Sequence, residues 1–283
     1  MEELAKPEPI AVSTTEFSFS NQISEGARQL IWHTFFESRN RGISFDTHFP
    51  WSDQASSVIC VSLERSDDPL VPVISTLVIL RKRLESGRKV GMIGLVCVQP
   101  AFRNQGISTL LLTHAIDRAK QEGLDALMLW TQKPDVYAKV GFATDSRDLF
   151  GTVSKGARSK KSADSCDYPS VAPAKSVRRV SIPPFADEVL EYCTPAARIT
   201  CCKNQQGLTL VEYFGEIDNV IQLIDLALPD RWMLNTPEDS PLISALVSHG
   251  YQLDLKPGAV RMILSFNPSS HPPIESVPFL ERI

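Results

Sequence analysis

No run of apolar residues in this 283-residue chain approaches the ~20 that a membrane-spanning helix needs, so no membrane partner is expected. Strong charge of one sign is missing too. The net charge is −4 with 22% charged residues, which gives no reason to expect nucleic acid as a partner. None of the six cysteines forms a Cys-x-x-Cys pair, and Cys60 and Cys97 sit in apolar, strand-like stretches. Buried free thiols are therefore expected rather than disulfides or a metal site, and with them a reducing, cytoplasmic location. The adjacent Cys201 and Cys202 rarely bridge each other, because such a bridge is strained. The opening MEELAKPEPI is acidic and proline-containing, unlike a secretory leader. What the chain does have is a 43% apolar fraction and a length beyond one typical domain, so two globular units are expected.

The most informative stretch is Val90 to Leu112, VGMIGLVCVQPAFRNQGISTLLL. An apolar strand, Val90 to Val98, leads through a proline-marked loop into Arg103-Asn104-Gln105-Gly106-Ile107-Ser108 and then a helix. A helix starting there points unpaired N–H groups and the positive end of its dipole back at the strand end, which suits an anion. Gly106 lets a phosphate approach the backbone, and Arg103 adds a fixed positive charge. Ile107, Leu110, Leu111, His114, Ala115, Arg118 and Ala119 recur at helical spacing, and most of that face is expected to lie on a sheet. An ordinary strand-turn-helix with a glycine in its turn would read the same way. A second strand, Ala126 to Trp130, follows, and after Pro134 comes Tyr137-Ala138-Lys139-Val140-Gly141-Phe142.

The ordered set of a V-x-V-x-P strand end, R-x-x-G-I-S opening a helix, and Y-x-K-x-G-F beyond the next strand resembles the acetyl-CoA signature of the GNAT superfamily of N-acetyltransferases. The resemblance is good over roughly residues 55 to 150. It departs from the family at Ser108, where Gly or Ala is usual, and in the stretch from Trp130 to Tyr137, which is shorter and lacks the common asparagine. The resemblance implies an α/β fold, with a central mixed, mostly antiparallel sheet flanked by helices. It also implies acetyl-CoA as cosubstrate, with no metal. Val96 would offer its N–H to the acetyl oxygen and Val98 its N–H to the pantetheine arm, and the N–H groups of Asn104, Gln105, Gly106, Ile107 and Ser108, beside Arg103, would take the pyrophosphate. Tyr137 would be the general acid that protonates the CoA sulfur; the alternative is a packing tyrosine in its turn. Lys139 is expected to face solvent.

Taken in order, residues 1–11 read as a loose tail and 12–153 as the acetyltransferase domain. Ala11 to Phe19 permits a first strand, and Ser24 caps a helix with Ala27, Leu30, Ile31, Thr34 and Phe35 turned inward. In the family this helix and the loop after it commonly form one wall of the acceptor groove, so Trp32, His48, Phe49 and Trp51 are candidate substrate contacts; packing under the sheet is the other reading. Val58 to Leu63 and Val71 to Leu80 read as strands joined onward by the polar turn RKRLESGRK. Residues 154–184 read as a linker rich in Ser, Pro and basic residues; Gly151 to Pro184 holds seven Lys and Arg against two Asp.

Residues 185–283 read as a smaller α/β domain: a helix at Ala186 to Tyr192, strands at Ala197 to Cys202 and Leu208 to Phe214, a helix through Val220 to Ala227, a strand at Arg231 to Asn235, a helix at Pro241 to His249, a strand at Ala259 to Ser265 and an extended, proline-rich ending. Its order repeats the first half, which points to a degenerate GNAT-like half. The chemistry does not repeat, because Gly215-Glu216-Ile217-Asp218-Asn219 stands in place of RNQGIS and its carboxylates would repel a pyrophosphate. Such a half would be a partner surface or a wall of the substrate site, and a fused half in place of a partner subunit leaves monomer and homodimer both open.

A carboxylate base is absent from Val90 to Val98. His48, a water chain or bulk solvent would have to replace it. Cys97 faces away from Val96 and Val98 by strand alternation, so a structural role is expected. The function expected is acetyl transfer from acetyl-CoA to the primary amine of a small molecule. The alternatives are a non-catalytic CoA-binding sensor or scaffold and a protein N-acetyltransferase.

Overall fold

The computed structural model describes residues 15–67, 72–156, 174–175, 181–266 and 274–283. The expected tail at 1–11 and most of the expected linker, residues 157–173 and 176–180, lie outside the described residues. The first half contains β1 (Thr15–Ser20), α1 (Glu25–Phe35), α2 (Phe45–His48), β2 (Val58–Arg65), β3 (Val73–Arg83), β4 (Lys89–Val98), α3 (Ile107–Gln121), β5 (Ala126–Thr131), α4 (Pro134–Ala138) and β6 (Ala143–Lys155). The second contains β7 (Ala174–Lys175), β8 (Glu188–Cys193), β9 (Ala197–Asn204), β10 (Gly207–Gly215), α5 (Ile217–Ala227), β11 (Arg231–Pro237), α6 (Pro241–Ser248) and β12 (Tyr251–Ser265).

The twelve strands among the described residues join one mixed sheet in the order β1-β2-β3-β4-β5-β12-β6-β11-β10-β9-β8-β7. Only β4/β5 and β10/β11 run parallel; each pair brackets a crossover helix, as parallel neighbours require. Outward from the central β12/β6 pair, β5 and β4 on one side answer β11 and β10 on the other. The last strand of each half has crossed over: β6 pairs with β11, and β12 pairs with β5. Single-strand patterning could not show this, because both strands are long, carry little alternation and gain their partners only across the molecule. For the same reason they run well beyond the short strands expected at Leu149–Val153 and Ala259–Ser265.

Local chemistry explains α1. Ser24 accepts from the Ala27 N–H at 3.3 Å, and Ala27, Leu30 and Ile31 are buried against the sheet, as their spacing predicts. Helix α3 is rotated from expectation: Ile107, Leu111, Leu112, Ala115, Ile116 and Ala119 are buried, while Leu110 is 48% exposed. The apolar stripe that wins is the one that also carries Leu112 and Ile116, which bury more area than His114 and Arg118 would. The expected helix at Ala186–Tyr192 is a strand. Val189 packs on one face, with Val211 and Leu280, while Leu190 and Tyr192 pack on the other, with Ile199. Burial on both faces suits β8 and not an amphipathic helix.

The expected extended ending also folds back. Ile274, Val277 and Leu280 are buried, and residues 279–281 form a 3₁₀ turn against β10. Cys60, Cys97, Cys201 and Cys202 are buried free thiols and Cys193 is exposed; Cys166 lies outside the described residues.

Candidate active site

Strand β4 is irregular where the site forms. Its pairing with β5 stops after Val90/Ala126, Gly91/Leu127 and Met92/Met128, so the two parallel strands splay apart beyond Met92. On the other side the register with β3 jumps from Thr76/Cys97 to Val78/Gly94, leaving Leu95 and Val96 without β3 partners. Leu95 sits at φ +54°, left-handed for a branched residue. That strain costs about 1–2 kcal/mol, and burial of the Leu95 side chain contributes a similar ~2 kcal/mol. The bulge is therefore tolerated, and it frees backbone N–H groups at the mouth of the splay.

Next to it, Pro100–Phe102 make a 3₁₀ turn and the chain enters α3 through Asn104 (φ +63°) and Gly106 (φ +77°). These two left-handed residues turn successive N–H groups the same way, which makes an anion-binding concavity ahead of a helix N-terminus. Gly106 is the N-cap of α3, and a Cβ built on it would meet no atom within 4 Å, so the space above it is open. The N–H groups of Thr109 and Leu110 both reach the Gly106 carbonyl, at 3.0 and 3.1 Å; those of Asn104 to Ser108 have no partner among the described residues. The Arg103 Nε donates to the Val98 carbonyl at 3.1 Å, which ties the basic side chain to the strand end.

A cleft of about 480 Å³ joins these features. Val96, Val98, Arg103, Asn104, Gly106, Ile107, Ser108 and Tyr137 line it, so nearly all the residues expected to hold the cofactor converge on one space. Gln105 is exposed beside it, its amide donating to the Ala101 carbonyl at 3.4 Å. The residues fit a diphosphate: the donors are backbone N–H groups with Arg103 and Lys133, and no carboxylate is among the lining side chains. Tyr137, near the end of α4, packs edge-on against Phe142 at 6.2 Å. Burial pushes its phenol above the ordinary value, and the neighbouring Thr131 hydroxyl opposes that. The phenol is thus protonated at neutral pH. Lys139 is exposed, as expected.

The cleft also contains Thr34 of α1, Thr131 of β5 and Lys133, which sequence reasoning did not assign. The only available signal was position, since Thr131 and Lys133 follow the strand that ends at the splay. Burial pushes the Cys97 thiol up to about 12, so it is not a nucleophile at neutral pH.

The four aromatic candidates cluster but do not line this cleft. Trp32 stacks on Phe36 at 4.6 Å and Phe49 packs near Trp51 at 5.5 Å. Trp51 donates from Nε1 to the Ser181 hydroxyl at 3.1 Å. Phe49 is buried, and His48, expected to reach the substrate, is fully buried. Its Nε2 accepts from the Ile43 N–H at 3.0 Å and its Nδ1 donates to the Ile182 carbonyl at 2.7 Å. Both nitrogens are used, so His48 is neither a substrate contact nor a free base. Trp32 and Trp51 keep partial exposure.

Burial lowers the His48 pKa, the largest cause, partly offset by the bond to Ile182. A lowered folded-state pKa gives stability that is present above the unfolded value of about 6.5 and lost as pH falls through the folded value. His48→Gln should therefore show a shallower fall in melting temperature below about pH 6.5 than the parent. Parallel profiles in thermal melts would show that His48 protonation does not contribute.

Among the described residues no group of three or more His, Cys, Asp or Glu is arranged to hold a metal ion. No helix there is long and apolar enough to cross a membrane.

Comparison with known proteins agrees with this geometry. Residues 25–142 match the acetyltransferase (GNAT) family model. Among solved structures, a GCN5-related N-acetyltransferase from Kribbella flavida is similar at 12% identity and TM-score 0.57, over 92% of this chain and 73% of that one. Another GCN5-related N-acetyltransferase, from Anabaena variabilis, is similar at 14% identity and TM-score 0.55, over 88% and 72%. Eis1 from Mycobacterium abscessus is similar at 13% identity and TM-score 0.55, over 87% and 72%. Likeness at such identities speaks to the fold. No curated protein sequence matches the chain. The family match identifies residues 25–142 as an acetyltransferase domain of the GNAT family, and the splayed, bulged β4 and the N–H concavity before α3 lie within it.

Proposed function

We propose that the chain transfers an acetyl group from acetyl-CoA to the primary amine of a small molecule by direct attack, with Tyr137 as general acid. The observation that carries this reading is the convergence of Tyr137, Val96 and the Asn104–Ser108 concavity on one cleft. Acyl transfer from a thioester needs the donor held, its carbonyl polarised, the amine neutral and the leaving thiolate protonated. The free N–H groups of Asn104 to Ser108, with Arg103, hold the diphosphate. The Val96 N–H, outside the β3 ladder, donates to the acetyl oxygen, and Val98 meets the pantetheine arm.

As the amine nitrogen bonds to the acetyl carbon and the carbon–sulfur bond breaks, Tyr137 passes its phenolic proton to the thiolate. The surplus amine proton leaves to water, since β4 carries no carboxylate and His48 has no free nitrogen, and the Tyr137 phenolate regains a proton from water to close the cycle. The partly exposed Trp32 and Trp51 and the second half would bound the acceptor.

The lack of a side-chain base favours a second reading, a non-catalytic CoA-binding protein. A steady-state assay of free CoA release separates them, with spermidine, tyramine, histamine and a lysine-containing peptide as acceptors. Amine-dependent release about 10²-fold or more above hydrolysis is expected, the lower end of the 10²–10⁴-fold range that a positioned proton donor supplies. Release no faster than without amine would select the second reading, and release with the peptide alone would make the acceptor a protein.

A further inference from the structure

Residues 274–283 are held across the sheet by bonds to Arg261, Ser86, Lys82 and Glu212. The Arg261 guanidinium donates to the Ile274 and Glu275 carbonyls at 3.2 and 3.0 Å. The Glu275 carboxylate accepts from the Ser86 N–H at 2.7 Å, and Glu281 pairs with Lys82. The Leu280 N–H reaches Glu212 of β10 at 2.8 Å. The segment therefore bridges the β3–β4 hairpin, β12 and the second half.

Its last two residues stand at the splay itself. Gly94, the last paired residue before the bulge, faces Ile283: a Cβ there would lie 2.6 Å from Ile283 Cγ1 and 2.7 Å from its carbonyl carbon. Only glycine permits that approach. Arg282 sits over the Trp130 ring of β5 at 4.8 Å, one residue before Thr131 of the cleft. Ile283 thus caps β4 and Arg282 caps β5, on the sheet face that packs against α1, opposite α3.

Arg282 is fixed by a 2.5 Å ion pair to Asp148 of β6, and Asp148 is itself buried. An isolated buried pair gives little net stability, because desolvation of both charges offsets their attraction. What it does give is one defined position.

We propose that the Arg282–Asp148 pair is a latch that seats residues 282 and 283 over the β4/β5 splay as the acceptor-side wall of the acyl-transfer site. Arg282 is then a positioning residue. This rests on the proposed acetyl transfer, because the wall closes the side from which an amine reaches the carbonyl held at Val96. The segment also lines a cavity of about 520 Å³ with Arg198, Glu212 and Tyr213 of the second half.

The test compares Gly94→Ala, which pushes Ile283 away from the strand side, with Arg282→Met and Arg282→Lys, which act on the latch. Three quantities are read for each: acetyl-CoA affinity by calorimetry, amine-independent CoA release, and KM against kcat for the best acceptor among spermidine, tyramine and histamine. Misplacing a wall by about 1 Å costs up to about 10²-fold, so Gly94→Ala and Arg282→Met should each raise the amine KM about tenfold or more. Both should also raise hydrolysis as water enters, with acetyl-CoA affinity changed less than about twofold. Arg282→Lys, which keeps a charge opposite Asp148, should recover part of the loss.

Parental KM and hydrolysis in Gly94→Ala would overturn the proposal even if Arg282→Met fails to fold. Loss of acetyl-CoA binding in both variants would also overturn it, since the segment would then support the cofactor cleft. If the parent uses none of the amines, the acetyl-transfer reading fails, and the hydrolysis rates still decide whether the wall excludes water.

Discussion

Tyr137→Phe is expected to lower kcat by about 10²- to 10⁴-fold, the usual worth of a positioned proton donor, while acetyl-CoA binds as before. The phenylalanine keeps the edge-on contact with Phe142 and the partly buried ring, so the fold and the cleft walls are unchanged. The concavity proposed to hold the diphosphate lies on α3 and the loop before it, separate from α4, so affinity should not follow activity. What is lost is the hydroxyl beside Thr131. Without it the thiolate leaves unprotonated or takes a proton from water. Because burial raises the phenol above its ordinary value of about 10, the parent should hold full activity to at least that pH before an alkaline limb appears, and the variant should lack that limb. Steady-state kinetics beside calorimetric titration would check both points, and unchanged kcat would remove Tyr137 from the role.

Gly106→Glu should weaken acetyl-CoA binding by about 100-fold or more, close to 3 kcal/mol. The side chain has room, since nothing lies within 4 Å of its Cβ, so the change is not a packing defect. It sets a carboxylate where the diphosphate belongs. Two unit charges about 4 Å apart repel by about 4 kcal/mol near a protein surface, which is enough for that loss. Backbone strain is a separate matter: φ +77° is left-handed, and any side chain there costs about 1 kcal/mol. Gly106→Ala carries the strain without the charge and should bind within about tenfold of the parent. Calorimetric titration of both separates the two effects. Equal weakening would mean that strain dominates, and tight binding by Gly106→Glu would place the diphosphate elsewhere.

The convergence of Val96, Val98, Arg103 to Ser108 and Tyr137 on one region was largely legible in the chain. The order strand, Arg103 to Ser108, helix, strand, Tyr137 follows local rules, since a glycine and an asparagine tolerate left-handed backbone and a helix start supplies free N–H groups. Ala27, Leu30 and Ile31 on α1 were equally readable from spacing. The acceptor side was not. His48 looks like a reactive group in sequence, and only the fold shows both of its nitrogens taken by the Ile43 N–H and the Ile182 carbonyl. Ile182 is 134 positions away, a separation that no local pattern reports.

The sequence by itself determined the elements whose signal is local: the caps, the apolar face of α1, the left-handed turn before α3 and the spacing that brings Tyr137 to the same strand ends. Tertiary structure decided the exchange of β6 and β12 between the halves, the strand at Glu188–Cys193 and the return of residues 274–283 onto Gly94 and Trp130. Each of these depends on a partner distant in the chain. A strand buried on both faces, or an Arg beside a buried Asp, acquires its favourable energy only once that partner is in place.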